Sequence, residues 1–333
     1  MTKRIVLSGY YGFKNFGDEA ILSLLVNKLK EYNSDITVIS ANPSYTNMLH
    51  KDINTVKTFD IKNIINTISK SDILISGGGS LLQDATSLKS LIYYLSIIFI
   101  ALFFRKKVII FAQGIGPVSS KFGQLLTKIV LKHCNYITVR DDKSAELLDK
   151  WGIKSEIVPD PVFSITINKA EKNKKLGIQL RECKTMNDAF LNNLANYVVS
   201  NFDGYEIELY SLQDSIDLDL CKKFEKMIKN NSSVNVFSNM SHDDVINRIN
   251  TCEYLISMRF HSLIIALLSG VKSIAVNYDI KVKKLANEFN LPVIELDKNI
   301  ENLSVNKQNI EYIYSKLQAK QFDWDKFYSI IFE

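Results

Sequence analysis

An arginine and a histidine stand two residues apart where a predicted strand gives way to a helix. The segment Ser257–Ser262 reads SMRFHS and follows the strand candidate Tyr254–Ser257. Arg259 supplies a fixed cation, His261 a titratable imidazole, and the start of a helix has free backbone N–H groups. Together they favour a site for a small dianion that undergoes chemistry. The alternative is a capped helix with an incidental histidine, although the chain has only four histidines and six arginines.

Three further cations follow strand candidates and are expected at the same kind of sheet edge. Lys281 stands in a βα turn of the second half, and Arg140 ends the strand candidate Tyr136–Arg140. Arg181 follows Leu176–Leu180 and is either another anion ligand or one half of a salt bridge. Because a guanidinium fork matches carboxylate and phosphate groups, these residues extend the predicted anion site.

A glycine-rich loop in the first half carries four aromatic residues. It spans Ser8–Ala20, reads SGYYGFKNFGDEA, and connects a strand candidate to the helix candidate Glu19–Lys30. Aromatic side chains at a loop tip suit stacking on sugar rings. Asp18 and Glu19 at the helix start disfavour a phosphate there, and the alternative is that Asp18 only caps the helix.

Two further glycine-rich turns follow strand candidates. Gly77–Asp84 reads GGGSLLQD, and Gln113–Pro117 reads QGIGP. Glycines let the backbone approach a ligand closely, and Ser80 is placed to cap the following helix. The alternative for the first turn is tight packing of a helix on a strand, and the second turn alone is a weak signal.

Short β-branched runs alternate with helical patterns, which predicts parallel sheets covered by helices on both faces. The strand candidates are Arg4–Ser8, Ile36–Ile39, Ile73–Ser76, Val108–Ala112 and Tyr136–Arg140, then Leu176–Leu180, Glu206–Leu209, Val234–Val236, Tyr254–Ser257, Lys272–Val276 and Pro292–Ile294. A hinge is expected at Pro159–Pro161 and the charged stretch Lys169–Lys175. We predict an α/β protein with two Rossmann-like domains, 1–165 and 166–333, and an interdomain cleft. Helices from Glu301–Leu317 onward are expected to close the second domain.

The composition and charge limit the function classes. The chain has 333 residues, 46% hydrophobic and 23% charged, which is typical of globular proteins and excludes a disordered or fibrous chain. Residues 1–165 carry 20 Lys and Arg against 14 Asp and Glu, and the remainder carries 21 against 22. This excess favours anionic partners but is too small to indicate nucleic acid. Four widely spaced cysteines support neither a disulfide framework nor a zinc site.

The N-terminus leads directly into a strand and does not look like a signal peptide, which predicts a cytoplasmic protein. One apolar run, Leu91–Phe104, reads LIYYLSIIFIALFF and is followed by three basic residues. It is shorter than the ~20 residues that a membrane span needs. We predict a buried helix, with contact to a membrane surface as the alternative.

Together, six motifs resemble those of the polysaccharide pyruvyl transferase family, particularly the CsaB-type enzymes of bacterial cell-wall polymer synthesis. They follow one another over most of the chain at Ser8–Ala20, Gly77–Asp84, Phe111–Pro117, Ile137–Ser144, Asp160–Phe163 and Ser257–Ser262. Residues 183–250 match least clearly.

The resemblance implies a GT-B-like fold and an enzyme that moves the pyruvyl unit of phosphoenolpyruvate onto a sugar. The product is a cyclic ketal, and phosphate is released. For the CsaB type, the acceptor is an N-acetylmannosamine residue of a lipid-linked precursor, met at the inner face of the cell membrane. By position, Arg140, His261 and Lys281 match the phosphoenolpyruvate-binding residues of the family, with Arg259 beside them. No metal or other cofactor is expected.

The same resemblance suggests roles for the remaining residues. His261 is the candidate for proton transfer or for stabilising the phosphate, and Asp18 or Glu19 is the candidate base at the acceptor. The acceptor is expected to lie against the three glycine-rich turns, at Tyr10, Tyr11, Phe13, Asn15, Phe16, Gly78, Gly79 and Gln113.

Two other functions stay open at this point. A GT-B glycosyltransferase that uses a sugar nucleotide has the same architecture, but it would place Asp or Glu near the ribose and diphosphate of its donor. A non-catalytic carbohydrate-binding or scaffold protein explains the aromatic loop. It does not explain the rare arginine and histidine at strand ends.

Overall fold

The chain folds into two compact units, which we describe from a computed structural model that defines residues 2–230, 233–300 and 308–332. The first unit contains Met1–Pro161 together with Gln321–Glu333, and the second contains Val162–Lys320. The division falls directly after the Pro159–Pro161 turn, where a hinge is predicted.

The first unit is built on one seven-stranded parallel sheet. Its strands are β1 (Arg4–Ser8), β2 (Asp35–Ser40), β3 (Asn54–Lys57), β4 (Ile73–Gly77), β5 (Lys107–Gln113), β6 (Tyr136–Val139) and β7 (Glu156–Ile157). The helices between them are α1 (Phe16–Lys30), α2 (Pro43–Leu49), α3 (Ile61–Lys70), α4 (Leu88–Phe103), α5 (Lys121–Leu131) and α6 (Asp142–Lys150). The strand order is β3-β2-β1-β4-β5-β6-β7, and every pairing is parallel.

The second unit repeats this plan with six parallel strands. Its strands are β8 (Asn173–Gln179), β9 (Glu206–Tyr210), β10 (Ser233–Phe237), β11 (Cys252–Ser257), β12 (Lys272–Asn277) and β13 (Val293–Glu295). Its helices are α7 (Asp188–Asn201), α8 (Asp214–Ile228), α9 (His242–Thr251), α10 (Phe260–Ser269), α11 (Ile280–Glu288) and α12 (Ile310–Gln318). The order β10-β9-β8-β11-β12-β13 is again doubly wound. The predicted α/β class with two Rossmann-like sheets is therefore confirmed.

The last helix, α13 (Trp324–Phe332), belongs to the first unit. Phe322, just before the helix, and Phe327, in its first turn, both pack on Phe111 of β5. The ring centroids of Phe322 and Phe111 are 5.1 Å apart, and those of Phe327 and Phe111 are 4.6 Å apart. The sequence placed this helix in the second domain, and the apolar contacts place it in the first. The predicted helix Glu301–Leu317 is described only from α12 onward, because residues 301–307 lie outside the described residues.

Helix α4 contains the long apolar run and is a core helix. Its buried side includes Leu91, Leu95 and Ile98, which pack in the same cluster as Leu74 and Val108 of the sheet. The prediction of a buried helix is confirmed. Within the described residues, no helix is both long and apolar enough to cross a membrane.

The sequence pattern does not predict three short elements, namely α2, β3 and β7. Strands β3 and β7 have half-buried or exposed residues, so they lack the apolar pattern that identifies buried strands. Helix α1 was predicted to begin near Asp18. It begins at Phe16 instead, because the extended residue Asn15 precedes it and accepts the Gly17 N–H at 3.3 Å. Asp18 therefore lies in the first turn and is not the cap.

Each sheet reverses its winding direction at one point, and open α/β sheets bind ligands there, beyond the carboxyl ends of the strands. In the first unit this switch point lies between β1 and β4, and in the second between β8 and β11. The loops after these strands, with the first turns of the helices that follow them, contain most of the predicted site residues.

Candidate active site

Three glycine-rich loops of the first unit are joined at the carboxyl ends of β1, β4 and β5. The Tyr11 hydroxyl donates to the Gly77 carbonyl oxygen at 2.8 Å. The Gly114 N–H donates to the Gly79 carbonyl oxygen at 3.0 Å. Gly78 and Gly79 both have positive φ, of 84° and 63°, which suits glycine. The three predicted ligand loops are therefore hydrogen-bonded to one another.

The four aromatic residues of the first loop divide into two pairs. Tyr10 and Phe13 stack with their ring centroids 4.0 Å apart, and Phe13 is 37% exposed. Tyr11 is fully buried and Phe16 is nearly so. The Tyr11 ring folds back over Gly9, which has no side chain to oppose it. Tyr11 and Phe16 are thus core residues, which corrects their expected stacking on a sugar, and Tyr10 and Phe13 carry that prediction alone.

Glu19 is buried beneath the first loop and holds it in place. Its Oε1 accepts the N–H of Gly12 at 2.9 Å and the N–H of Lys14 at 3.2 Å, while its buried Oε2 has no hydrogen-bond partner among the described residues. Burial is the main cause that raises the pKa of Glu19 to about 7. A carboxyl group that titrates near neutral pH can both accept and release a proton under physiological conditions.

Asp18 faces the second glycine-rich loop. A Cβ atom at Gly79 would overlap the Asp18 carboxylate, so this close approach requires glycine. Asp18 is buried, and its charge is one cause of the raised pKa values of Tyr11 and Tyr94, after burial itself. The two predicted base candidates therefore occupy adjacent buried positions on the first turn of α1.

Gln113 lies at the end of β5, where a bulge interrupts the pairing with β6. The pairing shifts register between Ile110 and Gln113, and Ala112 has a φ of 45°. The fully buried Gln113 side chain donates from Nε2 to the Ser76 hydroxyl at 3.0 Å, and its Oε1 has no hydrogen-bond partner among the described residues. Its present contacts are with the sheet, and its contact with an acceptor stays a prediction.

Arg140 is held by a carboxylate of its own unit. Its Nη1 donates to Asp160 Oδ2 at 2.6 Å, and its Nη2 donates to the Ser80 hydroxyl at 3.3 Å. Both charged side chains are almost completely buried. Arg140 therefore connects the end of β6 to the second glycine-rich loop and to the turn that ends the unit.

In the second unit, Arg259 forms a bidentate ion pair with Asp217. Both nitrogen–oxygen distances are 2.8 Å, and Asp217 Oδ2 also accepts the Leu212 and Gln213 N–H groups at 3.1 Å. The Arg259 N–H donates to Gln179 Oε1 at 2.9 Å. This buried network fastens the end of β11 to the start of α8. The ion pair holds the Arg259 side chain in place, and its direct contact with phosphoenolpyruvate stays a prediction.

His261 and Lys281 occupy the first turns of two neighbouring helices. His261 is half-buried at the start of α10, with its ring perpendicular to that of Phe260. The N-cap of α10 is Arg259, whose side chain makes no capping hydrogen bond. Lys281 is half-buried at the start of α11, where its N–H donates to Asp279 Oδ1 at 2.8 Å. An imidazole and an ammonium group thus follow the neighbouring strands β11 and β12, and α10 begins without a side-chain cap, a combination that suits an anion.

Three residues that organise these sites carried no separate signal in the sequence. Asp217 is one of several acidic residues in α8, and Asp160 stands out only as part of a motif. Tyr278 precedes Lys281 by three residues and has no signal of its own. A buried arginine requires a counterion, so partners for Arg140 and Arg259 could have been expected but not located. Among the described residues, no three side chains are grouped so that they could hold a metal ion.

Comparison with known proteins gives one family match. A family model described as polysaccharide pyruvyl transferase matches residues 15–280.

Several solved structures have the same fold. UDP-GlcNAc 2-epimerase from Neisseria meningitidis, bound to UDP-GlcNAc, has a TM-score of 0.64 at 8% identity, over 98% of this chain and 99% of that chain. HepE from Anabaena, in complex with UDP-glucose, has a TM-score of 0.64 at 12% identity, over 99% and 98%. A glycosyltransferase from Rickettsia africae has a TM-score of 0.58 at 15% identity, over 99% of this chain and 94% of that chain. At these identities the likeness concerns the fold, and it confirms the GT-B-like prediction.

Proposed function

The chain belongs to the polysaccharide pyruvyl transferase family and is a transferase, and we propose that it transfers the pyruvyl unit of phosphoenolpyruvate to a sugar as a cyclic ketal. The match of the family model to residues 15–280 carries this proposal. We further propose that the sugar is an N-acetylmannosamine residue of a lipid-linked precursor of a secondary cell-wall polysaccharide. The six motifs that resemble the CsaB type support this acceptor.

The reaction needs a proton donor, a proton acceptor and a site for three negative charges. The methylene carbon of phosphoenolpyruvate takes up a proton and becomes a methyl group, which leaves C2 electron-poor. One sugar hydroxyl then forms a C–O bond to C2 and loses its proton. The bond from C2 to the phosphate oxygen breaks, a second hydroxyl bonds to C2, and its proton is released. The products are the ketal and inorganic phosphate.

We assign His261 to the donor substrate, phosphoenolpyruvate. Its half-buried ring stands on the first turn of α10, and α10 has no side-chain cap. Backbone N–H groups at such a helix start stabilise phosphate, and an imidazole there can give a proton to the methylene carbon or to the leaving phosphate. The family resemblance also assigns Lys281, in the first turn of α11, and Arg140, directly after β6, to phosphoenolpyruvate.

We assign the role of general base at the sugar acceptor to Glu19 and not to Asp18. Its pKa of about 7 is close to the value at which a general base works best near neutral pH. The stacked rings of Tyr10 and Phe13 lie in the same loop and supply an apolar face for a sugar ring. Asn15 ends this loop, but its side chain caps α1.

We propose that the acceptor is met at the inner face of the cell membrane. Helix α4 exposes Phe99 by 56% and Phe103 by 71%, and three basic residues, 105–107, follow this helix. Apolar side chains beside basic ones favour an anionic lipid surface. Sedimentation with anionic vesicles should recover the chain, and the double variant Phe99→Ser and Phe103→Ser should stay in solution. Equal recovery of both would contradict membrane contact by α4.

The proposed activity is tested by phosphate release from phosphoenolpyruvate, with and without a synthetic lipid-diphosphate disaccharide that contains N-acetylmannosamine. Release should require the acceptor, and His261→Ala should lower the rate by about 10²- to 10⁴-fold, the range for general acid–base catalysis. His133→Ala is the matched control, because His133 is exposed and its ring contacts the Ile129 carbonyl oxygen of its own unit at 2.8 Å. No release with this acceptor, combined with turnover of a sugar nucleotide, would replace the proposal by a glycosyltransferase.

A further inference from the structure

The six arginines of the chain differ in how their charge is balanced. Four are paired with carboxylates, namely Arg4 with Asp72, Arg140 with Asp160, Arg248 with Glu208 and Arg259 with Asp217. Arg105 is exposed just before β5. Arg181 is half-buried and has no carboxylate partner among the described residues. The alternative interpretation of Arg181 as half of a salt bridge is therefore not supported.

Arg181 lies at the switch point of the second sheet. It follows β8, and its backbone N–H points to the Met258 sulfur at 3.1 Å. Its guanidinium carbon is 5.7 Å from the centroid of the Tyr278 ring, and its Nη1 is 3.5 Å from the Tyr278 hydroxyl. Tyr278 follows β12, and β11 lies between β8 and β12 in the sheet. The Arg181 side chain thus extends across the end of β11, which leads into α10 with His261 in its first turn.

This placement leaves the guanidinium ready for an anion. The Tyr278 ring attracts the cation, and the Tyr278 hydroxyl accepts one N–H of the guanidinium at 3.5 Å. The four other N–H donors of this arginine have no carboxylate partner among the described residues. Burial raises the pKa of Tyr278, while the nearby charges of Arg181 and Arg259 oppose the rise. Because Asp217 already neutralises Arg259, Arg181 is the unneutralised guanidinium at this edge of the described sheet.

We propose that Arg181 binds an anionic group of the donor substrate and that Tyr278 positions its guanidinium. The inference rests on the proposed function, because that function supplies a donor with a carboxylate and a phosphate. Arg259 differs from Arg181, since its charge is already paired with Asp217. Arg181 therefore supplies a guanidinium at this edge that no carboxylate of the described residues neutralises.

The test compares steady-state kinetics of Arg181→Gln, Arg181→Lys and the wild-type chain, by acceptor-dependent phosphate release. Loss of hydrogen bonds to a charged group should raise the KM for phosphoenolpyruvate about 10- to 100-fold in Arg181→Gln. Arg181→Lys should recover part of this loss, because the ammonium group keeps the charge without the planar fork. Arg4→Gln is the control for loss of an arginine and should leave KM unchanged, because Arg4 is exposed at the start of β1 and pairs with Asp72. Tyr278→Phe should stay close to wild type, and Tyr278→Leu should raise KM without changing kcat.

Inhibition by inorganic phosphate and by pyruvate distinguishes the two anionic groups. Weaker inhibition of Arg181→Gln by phosphate supports a contact with the phosphate group, and weaker inhibition by pyruvate supports a contact with the carboxylate. A wild-type chain that releases phosphate, together with Arg181→Gln at unchanged KM and unchanged inhibition, would overturn this inference and leave the proposed function intact. A wild-type chain that neither binds nor turns over phosphoenolpyruvate would overturn both.

Discussion

Replacing Glu19 by glutamine should stabilise the first unit at pH 8 and have little effect at pH 4. The Glu19 carboxyl is buried, Oε1 accepts two backbone N–H groups, and Oε2 has no hydrogen-bond partner among the described residues. Burial therefore favours the protonated form and raises the pKa of Glu19 from 4.5 to about 7. Glutamine resembles that neutral form and keeps an oxygen for the N–H groups of Gly12 and Lys14.

The magnitude follows from the two pKa values. Below pH 4.5 the folded and the unfolded chain both hold the proton, so the stabilising contribution is complete. Between pH 4.5 and about 7 only the folded chain holds it, and the free energy of unfolding falls as pH rises. Each pKa unit corresponds to about 1.4 kcal/mol, so the native chain should lose about 3 kcal/mol over this range. Glu19→Gln should lose none of this amount.

Urea unfolding followed by tryptophan fluorescence measures this difference in the first unit alone, because Trp151 and Trp324 both belong to it. Glu31→Gln is the control, since Glu31 is exposed just beyond the same helix. A stability difference between Glu19→Gln and the native chain that stays constant from pH 4 to pH 8 would refute the reasoning. The same variant separates structure from catalysis, because a folded, stabilised Glu19→Gln enzyme should be inactive if Glu19 is the base.

Three further substitutions test the buried contacts. Arg259→Met should destabilise the second unit by about 3–5 kcal/mol, because it leaves Asp217 buried and unpaired. Adding Asp217→Asn, which is neutral and keeps an oxygen for the Leu212 and Gln213 N–H groups, should restore most of the loss in a double-mutant cycle of thermal unfolding. Tyr11→Phe should cost about 1 kcal/mol in urea unfolding through one lost buried hydrogen bond, and an unchanged midpoint would contradict that bond. Gly79→Ala should lower the melting temperature more than Gly152→Ala, since both have positive φ but only Gly79 has a carboxylate where the Cβ would lie.

The sheets could be predicted because their strands are apolar, short and regularly separated by helices. Strands such as β1, β4 and β11 are almost entirely buried, and their sequences show it directly. Strands β3 and β7 were missed because their side chains are half-exposed. The position of α13 could not be predicted, since its contact with Phe111 joins residues more than half the chain apart.

The sequence predicted which loops form the site, but it did not predict which of their side chains are buried or which partners they contact. The sequence predicts the same role for Tyr10 and Tyr11. Only the backbone path at Gly9 decides that Tyr10 stacks on Phe13 while Tyr11 is buried. It identified Arg259 as unusual, but it could not identify Asp217 as the partner, because the two are 42 residues apart and α8 contains other acidic residues. Ion pairs between distant segments depend on the fold, and the sequence pattern does not contain them.

The mass of the product tests the central claim most directly. After incubation with phosphoenolpyruvate and the lipid-diphosphate disaccharide, the acceptor should be heavier by one pyruvate less one water, and inorganic phosphate should appear in equal amount. In heavy water the new methyl group should carry one deuterium, because the methylene carbon takes its proton from an exchangeable group. An unchanged acceptor, or an acceptor heavier by a sugar residue when a sugar nucleotide is supplied, would contradict pyruvyl transfer.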